Sequence, residues 1–148
     1  MHNHPTLIPA QNPHLMEAIF HLRTMVFVEE QGVDSALEFD EFEEVAKHWA
    51  ALIEGKVVAC ARYRRTRLGF KIERMAVDAA VRQQGLGRAL LLAVLEEVLP
   101  MAEREQCPVY LHAQVQALPF YTKLGFLPEG DEFEEADIAH YRCLYQGR

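Results

Sequence analysis

The chain has 148 residues, of which 50% are hydrophobic and 25% charged, a composition typical of one globular domain spanning residues 1–148. It excludes collagen-like, low-complexity and disordered chains, and the apolar run 89–95 is far shorter than the ~20 residues of a membrane span. The formal net charge of −7 argues against a nucleic-acid-binding role, so we expect no nucleic acid as partner. Because the apolar run is short, we expect no membrane as partner either.

Cysteine usage and the N-terminal residues bear on the cellular compartment. Residues 1–5 contain neither the basic nor the apolar segment of a secretory signal. The three cysteines are an odd number without a close pair, which argues against a disulfide framework and favours a reducing, cytoplasmic location. No His/Cys spacing typical of zinc is present, so we expect no metal site.

The first half of the chain predicts a helix followed by an antiparallel meander. Asn12 and Pro13 are typical of a helix N-terminus, and the apolar spacing that follows predicts a helix to about Gln31-Gly32. Residues 33–47 lack a clear period and are predicted as a loop with a short helical turn. Three predicted strands then follow, at residues 48–53, 57–63 and 70–77.

The second half alternates helices and strands. Apolar positions recur at helical spacing from Arg88, and Pro100 should end or kink that helix. The remaining predicted elements are a strand at 109–112, a short helix at 115–124 and strands at 126–133 and 138–144. The order β, α, βββ, α, β, α, ββ predicts a mixed α/β sheet.

A glycine-containing turn, Arg82-Gln83-Gln84-Gly85-Leu86-Gly87, joins a predicted strand to a predicted helix. Unpaired amides and the helix dipole make such a helix N-terminus suitable for a phosphate, and glycines let the ligand approach the backbone. A glycine-stabilised turn without a ligand is the alternative. Two other phosphate-binding motifs are excluded. A P-loop would have Lys-Ser/Thr directly after Gly87, and a dinucleotide-binding fingerprint would have glycine in place of Leu90.

Charge is distributed unevenly along the chain. Residues 29–44 hold eight acids and no Lys or Arg, and residues 129–137 hold six more acids. Residues 62–74 hold six basic residues against the single acid Glu73. Three solvated faces would explain this pattern, and the alternative is a site with a basic side for an anionic cofactor and an acidic side for a cationic substrate.

Three sequence motifs follow one another along the chain: residues 72–77, the turn Arg82-x-x-Gly85-x-Gly87, and residues 120–126. This order resembles the GNAT superfamily of acetyl-CoA-dependent N-acetyltransferases. Residues 22–32 and 112–114 further resemble a small, single-domain bacterial subgroup of undefined substrate, so that the likeness covers about residues 5–145. The resemblance implies the GNAT-like acyl-CoA N-acyltransferase fold, a central splayed, mostly antiparallel sheet flanked by helices.

The resemblance implies acetyl-CoA as co-substrate. In similar proteins the strand before the glycine turn is splayed from its neighbour and pairs with the pantetheine arm, and the pyrophosphate rests on the amides of the turn. The cofactor-binding residues implied for this chain are Met75, Ala76, Val77, Arg82, Gln83, Gln84, Gly85, Leu86, Gly87, Arg88, Gln114, Ala117 and Phe120. Gln114 is a departure, because many members have Asn there.

The resemblance also implies two catalytic residues. Tyr121 matches the family's tyrosine near the acetyl sulfur, and its phenol could protonate the leaving thiolate, although it could also be a packed core aromatic. Glu73 is the candidate general base, acting directly or through a water, because a protonated amine must lose a proton before it attacks a carbonyl. The alternative for Glu73 is an ion pair with Arg74 or a neighbouring arginine.

Three further residues are candidates for substrate contact: Glu30, His112 and His140. His112, at the end of a predicted strand, could relay a proton or simply fill the strand end. His140 resembles a family position near the acceptor pocket. The acids in 29–44 and 129–137 favour a small, cationic acceptor.

The leading hypothesis is therefore an enzyme that transfers acetyl from acetyl-CoA to a primary amine by direct attack in a ternary complex. One alternative is a non-catalytic acyl-CoA-binding sensor, and another is a protein lysine or N-terminal acetyltransferase. A structural or interaction protein would leave the ordered motifs unexplained. Because edge strands of such sheets often pair, a homodimer is also an option.

Overall fold

The computed structural model describes residues 4–147 and contains one seven-stranded sheet. Residues 1–3 and 148, which belong to the predicted domain and include most of the N-terminal segment considered above, lie outside the described residues. The strands are β1 (Thr6–Pro9), β2 (Lys47–Ile53), β3 (Lys56–Arg65), β4 (Phe70–Val77), β5 (Val109–Gln114), β6 (Phe126–Glu135) and β7 (Ile138–Tyr145). The described α-helices are α1 (Pro13–Arg23), α2 (Ser35–Glu38), α3 (Leu86–Glu105) and α4 (Leu118–Lys123).

The strand order in the sheet is β1-β2-β3-β4-β5-β7-β6. Neighbouring strands are antiparallel except for the parallel pair β4 and β5. The predicted mixed, mostly antiparallel sheet flanked by helices is confirmed. No helix within residues 4–147 is long and apolar enough to cross a membrane.

Hydrophobic cores cover both faces of the sheet. Helix α3 packs on one face, where Leu90, Leu91 and Val94 are fully buried. Helix α1 packs on the other face through Ile19 and Leu22. Because β3 lies between the two helices, its residues are buried at successive positions rather than alternately.

The helix that begins after Asn12 extends nearly as far as the sequence predicts, but it changes type on the way. Asn12 caps it as expected, since its Oδ1 accepts a hydrogen bond from the Leu15 amide at 2.9 Å. The α-helix ends at Arg23 and continues as a π-helical segment, Thr24–Glu30. Its wider turn is seen in the Gln31 amide, which donates to the Val26 carbonyl five residues back at 3.2 Å. Apolar periodicity does not distinguish these two helix types over so few residues.

Pro100 does not end α3, contrary to the expectation from the sequence. The helix runs through it from Leu86 to Glu105. Val98 and Ala102, on either side of Pro100, are buried against the sheet. Packing of this apolar face offsets the hydrogen bond that proline removes.

Strands β4 and β5 pair only at their beginnings within the described chain, through Phe70 with Val109 and Lys71 with Tyr110. Strand β4 also contains a bulge at Arg74, whose φ is +56°. Beyond these points the second half of β4 has no partner on the β5 side. The splayed sheet that the family resemblance implies is therefore present, and it opens a cleft in the middle of the sheet.

Candidate active site

The cleft between β4 and β5 has a volume of about 660 Å³. Its walls are the diverging strands, the π-helical segment, the residues around α2, and the chain between β6 and β7. Met75 on β4 and Gln114 on β5 face each other across it, and Tyr121 of α4 also lines it. One end of the cleft leads towards the glycine turn, and the other contains most of its charged side chains.

The glycine turn contains two residues with left-handed backbone conformation. Gln83 and Gly85 have left-handed φ angles of +65° and +81°, and no side chain caps the N-terminus of the 20-residue helix α3. The first amides of that helix are therefore free to meet an anion. At Gly87 a Cβ would lie 3.5 Å from side-chain atoms of Phe120 and Val77, an ordinary van der Waals distance, so the packing around this backbone does not itself demand glycine.

Arg82 of this turn is bound to Glu30. The two terminal guanidinium nitrogens donate to the Glu30 carboxylate at 2.9 and 2.7 Å, and Nε donates to the Val77 carbonyl at 3.0 Å. The hydrogen bonds with Arg82 lower the pKa of Glu30. Glu30 thus lies at the turn, bound to a residue that lines the cleft but not itself among the lining residues, and its contact with substrate stays a prediction.

Tyr121 both packs in the core and reaches the cleft. Its ring meets Phe120 and Phe126 edge-on, with centroids 5.0 and 6.3 Å away, and its hydroxyl lies 3.8 Å from Met75 Sδ. Burial raises the pKa of Tyr121 to about 12. The phenol is therefore protonated at neutral pH and available as a proton donor.

Gln114 links β5 to the segment that follows α1. Its Nε2 donates to Gln31 Oε1 at 2.8 Å, and its Oε1 accepts from Gln116 Nε2 at 3.1 Å. All three glutamines line the cleft, as does Ala117. Gln31 was absent from the candidate residues, although it stands in the stretch 22–32 that carried part of the family resemblance.

Glu73 lies in the cleft but is surrounded by cations. Its carboxylate accepts from Arg62 Nε at 2.7 Å and Arg64 Nε at 2.8 Å, and it lies 3.2 Å from Lys71 Nζ. Burial favours a higher pKa, but the hydrogen bonds and charges of these partners outweigh it and hold the pKa of Glu73 at about 2. A carboxyl with so low a pKa is a weak base. The contacts therefore argue against the predicted role of Glu73 as the general base.

Three acids of segment 29–44 are paired with arginines. Arg23 donates to Glu38 at 2.7 Å and to both carboxylate oxygens of Glu43 at 2.8 Å, and Arg62 donates to Asp40 at 2.8 and 2.7 Å. Arg23 and Arg62 are each only 1% exposed. Glu38, Asp40 and Glu43 therefore form one network with Arg23 of α1 and Arg62 of β3, so these three acids are neutralised by arginines and do not form a separate acidic side.

Two histidines meet one glutamate at the charged end of the cleft. His112 Nδ1 lies 3.1 Å from Glu135 Oε1, and His140 Nε2 lies 3.7 Å from Glu135 Oε2. His140 Nδ1 donates to the Ile138 carbonyl at 2.6 Å. Phe133 stacks on the His140 ring and meets the His112 ring edge-on at 5.0 Å. The hydrogen bond from His112 lowers the pKa of Glu135.

The chain matches a known protein family over most of its length. Residues 20–143 match the acetyltransferase (GNAT) domain family. The chain belongs to the GNAT acetyltransferase family. YyaT of Bacillus subtilis (strain 168) is 38% identical over 122 residues, which cover 80% of each chain. The N-acetyltransferase YjcF of the same organism is 32% identical over 136 residues, 91% of this chain and 95% of YjcF.

A solved GNAT structure extends the likeness to the whole fold. The acyl-CoA N-acyltransferase from Pseudomonas aeruginosa superposes with a TM-score of 0.79 and 29% identity, covering 97% of this chain and 99% of that one. The family expected from the ordered motifs is thereby confirmed.

The GNAT domain brings many of the predicted residues to one cleft. Its lining includes Glu73, Met75, Arg82, His112, Gln114, Ala117, Tyr121 and His140. Outside that lining are Glu30, Ala76, Val77, Gln83, Gln84, Gly85, Leu86, Gly87, Arg88 and Phe120. Apart from Glu30, these belong to the end of β4, the turn with the start of α3, or α4. The side chains of Ala76 and Leu86 are buried in the cores, which leaves only their backbone to meet a ligand.

Proposed function

We propose that this GNAT domain transfers the acetyl group of acetyl-CoA to a primary amine by direct attack in a ternary complex. The observation that carries the proposal is the parting of β4 and β5 after Lys71 and Tyr110, next to the uncapped N-terminus of α3. A long thioester with an anionic end matches this combination, because its arm needs main-chain partners and its phosphates need amide donors. An acyl-CoA donor is also named for the Pseudomonas aeruginosa relative.

The donor would lie along the free edge of β4. In this arrangement the pantetheine arm pairs with the backbone of 75–77, and the pyrophosphate accepts hydrogen bonds from the amides of 84–88. Arg82 adds positive charge at the start of the turn, where Glu30 now neutralises it. The thioester then falls next to Met75 and Tyr121, whose side chains meet within the cleft.

The chemistry needs few groups. The amine nitrogen attacks the thioester carbonyl, a backbone N–H of β4 stabilises the oxyanion, and the C–S bond breaks as the amide forms. The Tyr121 hydroxyl gives its proton to the departing sulfur and later regains one from solvent. An ammonium acceptor loses two protons overall, of which one ends on the thiol of CoA and the other in solvent.

Two measurements on the purified protein test the proposal. Isothermal calorimetry should show binding of acetyl-CoA, and a thiol-release assay should show free CoA only when an amine is present. The amine panel should contain alkylamines, polyamines, amino acids and lysine peptides, with mass spectrometry of the acetylated product. Binding without amine-dependent thiol release would indicate an acyl-CoA sensor instead, and absence of binding would overturn the assignment of the cleft.

A further inference from the structure

His112 lines the cleft on β5, beyond the point where β4 and β5 stop pairing. It follows Tyr110, the last β5 residue that pairs with β4, by two residues, so it lies just inside the splayed part. It shares a strand face with Gln114, and both line the cleft. Its side chain is 22% exposed, so a ligand in the cleft can reach it.

The hydrogen bond to Glu135 fixes which ring nitrogen of His112 is free. An ionised carboxylate only accepts, so the nitrogen 3.1 Å from Glu135 Oε1, Nδ1, must carry the proton. Nε2 takes part in none of the hydrogen bonds found within residues 4–147, and in the neutral ring it holds the lone pair. Phe133 and Tyr110, with ring centroids 5.0 and 6.0 Å away, restrict the tilt of the imidazole.

The charged and titratable groups around His112 come from three other strands. Glu135 of β6 bonds to it, His140 of β7 faces the same carboxylate, and Lys71 of β4 lies near enough to that carboxylate to act on its charge. Arg142, the register partner of His112 on β7, is held by Glu129 at 2.7 Å. Among these groups, Glu135 is the one whose carboxylate contacts the ring, at 3.1 Å from Nδ1.

We propose that His112 Nε2 is the general base that takes the proton from the acceptor amine, and that Glu135 is the positioning residue for His112. This inference rests on the proposed function. Nε2 accepts one proton of the acceptor ammonium, which frees the nitrogen lone pair to form the new C–N bond, and the imidazolium passes that proton to solvent after the thiol has left. The second N–H proton leaves as the amide forms and balances the proton that Tyr121 gives to the sulfur. Glu135 holds the ring in the productive tautomer and stabilises the imidazolium, as a carboxylate behind a catalytic histidine does elsewhere.

The test compares His112→Ala and His112→Gln with the wild type, using the best alkylamine of the panel. Loss of a general base should lower kcat/KM about 100-fold in both variants, with acetyl-CoA affinity by calorimetry unchanged. The loss should be markedly smaller for an acceptor whose nitrogen is already unprotonated at neutral pH. The exposed His21 of α1 supplies a matched control, since His21→Ala should retain full activity.

Glu135 is tested by the pH profile rather than by rate alone. Removing its charge in Glu135→Gln destabilises the imidazolium, so the acidic limb of kcat/KM should move to lower pH while the maximum rate falls. Glu135→Asp, which keeps the charge, should restore part of the rate, and the exposed neighbour variant Glu134→Gln should change neither. A purely structural Glu135 would leave the position of the limb unchanged.

The outcomes separate this inference from the function on which it rests. A wild type that binds acetyl-CoA but releases no thiol with any amine overturns the proposed function and the inference together. A wild type that is active, with His112→Ala and His112→Gln both within threefold of it, overturns the inference alone. Two folded variants, checked by circular dichroism, make the result independent of a packing defect in either one.

Discussion

The two ends of the cleft are built from different parts of the polypeptide. At the glycine turn the decisive features belong to the main chain, namely the left-handed residues 83 and 85 and the start of α3, which no described side chain caps. At the other end the decisive features are side chains that converge from α1, the region of α2 and strands of the sheet. A backbone site depends on a few contiguous residues, whereas a side-chain site depends on contacts distant in sequence.

This difference predicts different sensitivities. Substitutions at the side-chain end should affect folding stability, because its charges are buried and compensate one another. Substitutions in the turn should leave stability nearly intact and affect the donor alone. The largest effect is therefore expected from a substitution among the buried charges.

Arg23→Met should cost about 3–5 kcal/mol of stability, because it leaves Glu38 and Glu43 buried without their shared partner. Urea denaturation at neutral pH measures the loss. The matched control is Arg65→Met, whose ion pair with Glu105 is 40% and 47% exposed and should contribute less than about 1 kcal/mol. Similar losses in the two variants would show that the buried network is no more important than a surface pair.

Tyr121→Phe should lower kcat about 100-fold, about 2.7 kcal/mol, while the affinity for acetyl-CoA changes little. The substitution removes only the hydroxyl that lies 3.8 Å from Met75 Sδ and keeps the ring packed on Phe126. Steady-state kinetics and calorimetry on the same preparation measure the two quantities. Full activity would assign Tyr121 to packing alone and leave the departing thiolate without a donor from this chain.

The same contrast explains what the sequence could and could not predict. The splayed, mostly antiparallel sheet and the turn were predictable, because glycine spacing and strand patterns are local and carry the family resemblance. The contact between Arg62 and Asp40 joins residues 22 positions apart, and no pattern in the sequence selects that pair. Acid-rich and arginine-rich segments were therefore interpreted as opposite sides of a site when they neutralise one another.

The sequence did not single out some residues of the site, again because they are brought together only by contacts between distant parts of the chain. Glu135 belongs to a run of acids in which composition alone does not single it out, and only the pairing of β6 with β7 brings it to His112. For Glu73 the sequence left a base and an ion pair with a neighbouring arginine as alternatives, and only the contacts with Arg62 and Arg64 favour the ion pair. Alternation along β6 could have separated Glu135 from its neighbour Glu134, since adjacent strand residues point to opposite faces.

Acidification should destabilise the protein between about pH 4.5 and pH 2. Asp40 and Glu73 have pKa values near 2, below their ordinary values of 3.8 and 4.5, since arginine contacts favour their ionised forms. A lowered folded-state pKa adds stability above the unfolded-state pKa, and this stability is lost as the pH falls through the folded-state value. The loss should be on the order of 2 kcal/mol in urea titrations, reduced by Glu38, whose pKa burial raises.

Glu73→Gln should flatten this acid limb, because the variant has one fewer carboxyl to protonate. Glu105→Gln serves as the control, since Glu105 is half-exposed and pairs with the surface residue Arg65. An acid limb of unchanged steepness in Glu73→Gln would show that the buried carboxylates do not control stability at low pH.

Gly87→Glu should weaken acetyl-CoA binding at least tenfold, about 1.4 kcal/mol, with little change in stability. A glutamate in the first turn of α3 interacts favourably with the helix dipole, so the fold should tolerate its charge, but that charge occupies the region where the phosphates would lie. Gly87→Ala is the control, because a Cβ there meets Phe120 and Val77 at an ordinary 3.5 Å. If calorimetry gave the same dissociation constant for Gly87→Glu, Gly87→Ala and the wild type, the phosphates would have to bind elsewhere, and the main-chain end of the cleft would lose its assigned role.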